Sequence, residues 1–294
     1  MSEEQPLPHR SPTAGELTGT PPFPLNALWI GPELDDLAAA CLHSFVEMGH
    51  PVTLFAYDAV RGVPANVTLA DAATILPRDS VIVQKRTGSV ALFSDRFRYE
   101  ILRLDRGGWI DCDLLCLRPI EPLPYIFGWE EDGLVNGAIL NLPANSQMLG
   151  ELRRIFETRR WVPPWYGRKE RLRHRWRYWF IPGYGIADMD HIVAGPRAIT
   201  YFCGEYGLID QVAAREVYYP VNWRDLDVFF QDASDINRFL TPNSLCIHLW
   251  NTNLQREFRV RTPARGSFLA RVVDGTWRDA IERFDRVPTR AAAR

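Results

Sequence analysis

The strongest constraint on the fold comes from residues 25–57, where two short apolar runs flank a stretch with helical spacing. The runs are residues 25–30 and 52–57, and apolar residues recur between them at positions 34, 37, 38, 41, 42 and 45. Gly49 follows this stretch and can end a helix. A strand–helix–strand unit pairs its strands in parallel, and parallel sheets bind ligands at the carboxyl ends of their strands. We therefore predict an α/β fold with a mostly parallel sheet flanked by helices.

A second helical pattern precedes the most informative residues. Residues 94–106 have helical spacing and end at a Gly-Gly pair, after which a short apolar stretch leads into Asp111 and Asp113. On an extended segment these two aspartates face the same side, where their charges repel unless a cation neutralises them. A hard divalent cation binds carboxylate oxygens and keeps positions open for phosphate oxygens. The pair therefore predicts a site for a hard divalent cation beside a phosphorylated substrate.

Asp95 and Arg98 lie three positions apart on the preceding helix and so share one of its faces. The planar fork of Arg98 can bind phosphate or hold a carboxylate, and Asp95 can accept hydroxyl protons from a ribose or a sugar. A single Asp-x-Asp is most often a solvated turn, and an Asp/Arg pair at this spacing is usually a surface ion pair. It is the joint arrangement of helix, glycines and aspartates that favours a functional site.

These residues resemble a known family. Ser94-Asp95-x-x-Arg98, followed by Gly107-Gly108-Trp109-Ile110-Asp111-Cys112-Asp113, resembles the DXD-containing sugar-binding region of glycosyltransferase family 32 and of the related catalytic domains of large glucosylating toxins. Leu28-Trp29-Ile30-Gly31 resembles the first strand of those proteins, and His248-Leu249-Trp250-Asn251 resembles the segment that closes their site. The sequence departs from the usual family pattern at Ile110 and Cys112, and neither departure removes a ligand.

The resemblance implies a GT-A (Rossmann-like) fold, a nucleotide-sugar donor, a Mn²⁺ or Mg²⁺ ion and retention of anomeric configuration. It assigns metal binding to Asp111, Asp113 and His248, catalytic roles to Asp95, Arg98 and the two aspartates, and donor binding to Trp29, Asp95, Arg98 and Trp250. Packing in the core is the alternative for the histidine and for both tryptophans, because such residues in apolar strands are commonly structural.

We predict one GT-A domain over residues 25–285, between a disordered tail at 1–24 and a flexible tail at 286–294. Residues 159–182 interleave arginines with tryptophans and tyrosines and are flanked by prolines. This segment is a solvated helix face, a surface that docks on an anionic membrane, or an acceptor site. We expect a helical, aromatic insertion over the cleft that faces the acceptor or the membrane.

Composition excludes several classes of function. The net charge of −2 gives no general attraction for nucleic acid, and the five cysteines contain no C-x-x-C pair, which favours reduced thiols. No apolar run approaches the 18 residues of a membrane-spanning helix. We therefore expect a cytoplasmic protein, with peripheral contact at the inner face of the membrane as a further expectation.

The sequence thus predicts a retaining, metal-dependent hexosyltransferase of polysaccharide biosynthesis. Its donor is a nucleotide sugar, with UDP-hexose favoured, and its acceptor is a saccharide or a lipid-linked glycan. The alternative is a non-catalytic module of the same fold that binds nucleotide sugars or polyanions; a phosphohydrolase is disfavoured, because two-metal sites need more clustered Asp and His. The nucleophile stays open among Glu130, Glu131, Asp132, Asp188 and Asp190.

Overall fold

The computed structural model describes residues 23–131, 133–259 and 261–281. The strands are β1 (Leu25–Trp29), β2 (Val52–Ala56), β3 (Thr68–Asp71), β4 (Gly108–Ile110), β5 (Leu114–Cys116), β6 (Ile126–Glu131), β7 (Leu134–Asn141) and β8 (Cys246–His248). The α-helices are α1 (Asp36–Glu47), α2 (Ala91–Arg103), α3 (Gln147–Glu157), α4 (Arg168–Phe180), α5 (Pro196–Glu205), α6 (Arg215–Tyr218), α7 (Asn251–Glu257) and α8 (Phe268–Val273). Short 3₁₀ helices cover Ala72–Thr74, Arg78–Ser80, Ile186–Asp188, Ile209–Gln211, Leu226–Phe230, Ala233–Phe239 and Trp277–Ala280.

Six strands form the main sheet in the order β3-β2-β1-β4-β7-β6. Strands β1 to β4 run parallel to one another, whereas β7 is antiparallel to both β4 and β6. Helices flank this sheet, which confirms the predicted α/β class and is consistent with a GT-A fold. The carboxyl ends of β1, β2 and β4 therefore share the edge at which the sequence places its site.

The first strand–helix–strand unit forms where apolar spacing predicts it. The side chain of Asp35 accepts a hydrogen bond from Ala38 N at 2.7 Å and so caps the start of α1. Cys41 and Phe45 lie on the buried face of this helix. Gly49 adopts φ 87°, a left-handed value that glycine tolerates, and the chain turns there into β2.

The residues of β4 pack on both sides of the sheet. Trp109 belongs to a buried cluster that includes Phe97 of α2, whereas Ile110 belongs to a second cluster on the other face that includes Phe45 of α1. This alternation follows from the pleat of a strand, in which successive side chains point to opposite faces. Asp111 therefore follows a strand whose side chains are packed on both faces of the sheet.

A second, two-stranded sheet pairs β5 with β8, and Leu114 lies opposite His248. Ser44 of α1 accepts a hydrogen bond from Cys116 N at 2.8 Å through its hydroxyl, which holds β5 against α1. This pairing brings the residues just after β4 beside residues 248–251, although the two segments are far apart in the sequence.

Several boundaries differ from the predictions or lie outside the described residues. Phe23 is buried and the carbonyl of Pro24 accepts from Gly108 N at 3.0 Å, so packed structure includes the last residues of the predicted tail 1–24. Residues 1–22 and 282–294, which hold most of that tail and all of the tail at 286–294, are not described. Short apolar runs near 74–76 and 81–84 are typical of strands, but the structure has 3₁₀ and irregular chain there, and the strand in this part of the chain is β3.

Two further expectations concern cysteines and membranes. All five cysteines are free thiols, in agreement with the prediction. Among the helices of the described chain, none combines the length and apolarity needed to cross a lipid bilayer.

Candidate active site

Asp111 and Asp113 lie in the turn that joins β4 to β5. The prediction that they lie on one extended segment of backbone is therefore wrong. Asp111 N continues the main sheet by donating to Ala138 O at 2.7 Å, and Leu114 N then donates to Asp111 O at 3.3 Å across the turn. The chain must turn here because β5 leaves the main sheet to pair with β8. Both aspartate side chains keep some exposure, 28% for Asp111 and 21% for Asp113.

The carboxylate of Asp111 is held by a buried arginine and a tryptophan. Its Oδ1 accepts from Trp109 Nε1 at 2.7 Å and from Arg98 Nη2 at 3.0 Å. Arg98 also donates to Gly137 O at 2.6 Å and to Ser94 Oγ at 3.2 Å, which fixes its guanidinium between α2 and β7. Burial raises the pKa of Asp111; Arg98 opposes this rise and the charge of Asp113 adds to it. The two carboxylates therefore lie close enough to influence one another.

The carboxylate of Asp113 is held by the last residue of β8 and by the residues that follow this strand. Its Oδ1 lies 3.2 Å from His248 Nε2, and its Oδ2 accepts from Asn251 N at 2.9 Å. Because a carboxylate only accepts hydrogen bonds, Nε2 carries a proton in this contact. Burial would raise the pKa of Asp113, but the charge and hydrogen bond of His248 and the N–H of Asn251 hold this pKa below its usual value.

His248 faces Asp113 rather than an open position. Burial would lower its pKa, but the charge and hydrogen bond of Asp113, together with the charges of Asp111 and Glu130, outweigh burial and raise it. The Nδ1 atom is buried without a hydrogen-bond partner among the described residues, and the rings of Tyr219 and Trp250 lie 5.7 and 4.0 Å away between centroids. In this arrangement His248 orients Asp113. Within the described ranges, no group of three or more His, Cys, Asp or Glu side chains is arranged to hold a metal ion.

Trp250 lies at a strained position between β8 and α7. It is a non-glycine residue with φ 55° and ψ 50°, and such left-handed residues cluster at functional sites. The bend places the N–H of Asn251 on Asp113. The Trp250 ring is buried, and its Nε1 donates to Val221 O at 2.9 Å. This placement agrees with the packing alternative, and donor binding by Trp250 stays a prediction.

Asp95 is almost fully buried beside Arg98, with 3.6 Å between Oδ1 and Nη2. A Cβ added to Gly195 would lie 2.6 Å from Asp95 Oδ1, so only a glycine permits this close approach. Burial raises the pKa of Asp95 to about 7; Arg98 opposes the rise and Asp111 contributes to it. The structure thus brings Asp95, Arg98 and Asp111 together, and the contact of Asp95 with a sugar stays a prediction.

Trp29 lies half-buried at the carboxyl end of β1, and its Nε1 donates to Glu33 O at 2.9 Å. Two contacts link this end of β1 to the aspartate turn and to the closing segment. Cys112 Sγ lies 3.7 Å from Leu28 O, and Asn251 Nδ2 donates to Asp35 Oδ2 at 3.2 Å. Trp29, which is predicted to bind the donor, and the predicted metal ligands therefore lie on the same edge of the sheet.

Glu130 is the candidate nucleophile that the structure connects to this cluster. It is buried, accepts from Asn136 Nδ2 at 2.9 Å, and has a pKa that burial raises while Asn136 and His248 oppose the rise. The other candidates in the described ranges pair elsewhere: Glu131 with Arg224, Asp188 with Lys85, and Asp190 with His191. Asp132 lies outside the described residues.

Sequence reasoning missed three contributors to the site. Trp109 lies two positions before Asp111, and strand alternation places both side chains on the same side, so that signal was available. Asn251 lies in the segment that resembles the closing segment of the family, but the contact of its backbone N with Asp113 joins residues 138 positions apart, which no local pattern indicates. Asn136 lies only six positions from Glu130, across the hairpin of β6 and β7, and the sequence pattern does not single it out.

One comparison with known proteins bears on this site. A family model described as the alpha 1,4-glycosyltransferase conserved region matches residues 207–272. The matched region covers less than a quarter of the chain, and it contains β8 and the residues that bind Asp113. No curated protein matches the chain. Together with the GT-A type of fold, the match supports a glycosyltransferase, a transferase that moves a sugar from a donor to an acceptor.

Proposed function

We propose that this protein is a retaining, metal-dependent glycosyltransferase. It transfers a hexose from a nucleotide sugar to a saccharide or lipid-linked glycan, and UDP-hexose is the favoured donor. The observation that carries the proposal is a pair of partly exposed, mutually interacting carboxylates at the carboxyl edge of a parallel sheet. Asp111 is held by Arg98, and Asp113 is held by His248. Both side chains stay partly exposed beside these partners, 28% for Asp111 and 21% for Asp113, so each can still meet a ligand that arrives from solvent.

The residues fit a divalent cation. Asp111 uses Oδ1 for both of its hydrogen bonds, so its Oδ2 has no hydrogen-bond partner in the described ranges. Mg²⁺ and Mn²⁺ are commonly held by one or two carboxylates together with substrate phosphates, so Asp111 and Asp113 suffice as protein ligands. A cation there would stabilise the charge on a leaving diphosphate. His248 remains a predicted third ligand, and its bond to Asp113 supports a role in orienting that carboxylate.

The other residues of the cluster would bind and orient the donor. Trp29 offers a half-buried ring at the strand edge for the nucleotide base. Arg98 places a fixed positive charge beside Asp111, next to the position proposed for the diphosphate. The transition state is oxocarbenium-like, as in glycoside hydrolysis, so a nearby carboxylate would stabilise it. Glu130 is the carboxylate to test first in that role, because it is buried next to the cluster.

The direct test is hydrolysis of a panel of nucleotide sugars with Mn²⁺ by wild type, Asp111→Asn and Asp113→Asn. Both variants should lose at least about 10²-fold in kcat/KM, the effect of losing one strong electrostatic contact to the transition state. Asp105→Asn is the matched control: Asp105 is exposed at the end of α2 with φ 51°, a value that asparagine tolerates. Full turnover by Asp111→Asn would overturn the proposal.

Calorimetry separates the enzyme from a binding module. The observation that favours a module is that both oxygens of Asp113 already have protein partners. An enzyme of the proposed kind should bind UDP more tightly with Mn²⁺ than without it, and Asp111→Asn should remove that difference. Equal binding with and without Mn²⁺, together with no hydrolysis of any donor, would establish the module instead.

A further inference from the structure

Helix α4 exposes an unusual set of large apolar side chains. Leu172, Trp176, Trp179 and Phe180 are each between 55% and 70% exposed. Their spacing of four, seven and eight positions from the first residue places them on one helix face. The rings of Trp176 and Phe180 lie 5.1 Å apart, so these two side chains form one apolar patch within the stripe. Contiguous apolar surface of this kind marks an interaction site.

The opposite face of α4 is fixed to the protein. His174 is buried, and its Nδ1 lies 2.6 Å from the hydroxyl of Tyr184. Tyr178 donates from its hydroxyl to Trp161 O at 2.6 Å. The exposed stripe is therefore the outer face of an anchored helix, and rotating it inward would break both contacts.

Positive charge borders this stripe on both sides. Helix α4 contains six basic residues and one acidic residue, although the chain as a whole has a net charge of −2. At 100° for each residue, Arg171 and Arg175 flank one side of the stripe, and Arg173 and Arg177 flank the other. Arg160 adds a guanidinium 4.0 Å from the centroid of the Trp179 ring. The surface is thus apolar along its centre and cationic along its edges.

We propose that the stripe face, formed by Leu172, Trp176, Trp179 and Phe180, lies in the interface of an anionic lipid bilayer. Tryptophan and phenylalanine are suited to the boundary between headgroups and acyl chains, and bordering arginines bind anionic headgroups. A protein partner is disfavoured because its complementary surface would need a matching acidic rim around an apolar groove. Residues 181–194 connect α4 to Gly195, which packs on Asp95, so a docked helix would hold the site near the membrane surface. The inference does not rest on the proposed reaction.

Co-sedimentation with vesicles tests this surface. The probes are phosphatidylcholine vesicles with and without about 30% phosphatidylserine, an anionic lipid of the cytoplasmic leaflet. Wild type should bind the anionic vesicles and not the neutral ones. The apolar variant Trp176→Ala/Trp179→Ala/Phe180→Ala and the charge variant Arg171→Gln/Arg173→Gln/Arg175→Gln should each bind roughly 100-fold more weakly.

Two matched controls remove the same chemistry elsewhere. Leu69→Ala/Ile209→Ala/Val273→Ala removes three exposed apolar side chains, and Arg106→Gln/Arg215→Gln/Arg265→Gln removes three exposed arginines. Both controls should bind like wild type, and circular dichroism should show that every variant is folded.

Three results would overturn the inference. The first is the absence of wild-type binding to anionic vesicles. The second is wild-type affinity in the folded apolar variant. The third is light scattering that shows a dimer lost in that variant, since the stripe would then join two copies of this chain. Hydrolysis of a soluble nucleotide sugar by the same variants should remain at the wild-type rate, so failure of membrane binding and failure of the proposed reaction are distinguishable.

Discussion

Two arginine–tryptophan contacts, one beside β4 and one beside α4, show how burial decides what the same pair of side chains does. The guanidinium carbon of Arg98 lies 5.1 Å from the ring centroid of Trp109, and that of Arg160 lies 4.0 Å from the ring of Trp179. The first pair is buried and both members donate to Asp111. The second pair is exposed on the surface.

The buried pair fixes a functional group in place, whereas the exposed pair leaves a surface that can bind a partner. In the buried pair, N–H groups that leave water need acceptors, so Trp109 Nε1 and the terminal nitrogens of Arg98 bond to an aspartate and to two carbonyl or hydroxyl oxygens, whereas Arg98 Nε has no partner in the described ranges. In the exposed pair water satisfies these needs, and the apolar ring area stays open. The same substitution made in each of the two pairs should therefore change the stability of the protein by different amounts.

Arg98→Ala should have the largest effect on stability. It leaves Asp95 and Asp111 without their buried cation, and breaking a buried ion pair costs about 3–5 kcal/mol. Arg160→Ala is the matched control, with an expected loss of about 1 kcal/mol or less, because the cation–π contact is exposed. Urea unfolding of the three proteins measures both values. Similar losses in the two variants would show that the buried network contributes no more than the surface pair.

Asp95→Asn should change how stability depends on pH. The pKa of Asp95 is about 7 in the fold and about 3.9 in an unfolded chain, so the fold favours the neutral acid. The contribution of neutral Asp95 to the free energy of unfolding is complete below about pH 4 and is lost as the pH rises to about 7. Three pKa units correspond to about 4 kcal/mol, so the stability difference between wild type and variant should shift by up to this amount across the window.

Exposed Asp58 provides the control for that experiment. Its hydrogen bond with Arg78 lowers its pKa, so its contribution is lost only as the pH falls below the usual range of an aspartate. Asp58→Asn should therefore leave the slope between pH 4 and 7 unchanged. Parallel curves for wild type and Asp95→Asn in urea unfolding at each pH would contradict the raised pKa.

Gly195→Ala should destabilise the site by a smaller amount. The new methyl group would lie 2.6 Å from Asp95 Oδ1, and overpacking of this kind typically costs about 1–3 kcal/mol. Gly204→Ala on α5 is the opposite case. Outside the backbone of its own helix, no atom of the described residues lies within 4 Å of its added Cβ, and alanine is favoured over glycine in helices by about 1 kcal/mol. Thermal melting should show opposite signs for the two variants. A stabilised Gly195→Ala would mean that Asp95 moves away at little cost.

The elements with clear apolar periodicity could be predicted from the sequence. β1, α1 and β2 lie within a residue or two of their predicted bounds, because their buried faces repeat at the period of the element. The sequence pattern does not predict β3, because most of its side chains are exposed. Its backbone hydrogen bonds to β2 leave no pattern of apolar residues in the sequence. Local spacing therefore indicates what is buried and misses strands formed at an exposed edge.

The site could be predicted only in part. Asp95, Arg98 and Asp111 come together because two neighbouring elements, α2 and β4, place them there. The bonds that hold Asp113 instead come from residues 248 and 251, which reach it through the pairing of β5 with β8. The same pairing makes the turn that replaced the predicted extended segment. Long-range pairing of short strands leaves no periodic trace in the sequence, so the family resemblance, and no local spacing, points to residues 248–251 in this half of the site.

Trp179→Ala should have the smallest effect of the series on stability, at most about 1 kcal/mol, because the ring is exposed and loses mainly its contact with Arg160. Thermal melting of the free protein gives the value. A buried tryptophan would cost about 3–5 kcal/mol, so a loss of that size would mean that the stripe face is covered in solution. Repeating the melt with anionic vesicles sharpens the comparison: since a ligand of the folded state stabilises it, the vesicles should raise the melting temperature of wild type and raise that of Trp179→Ala less.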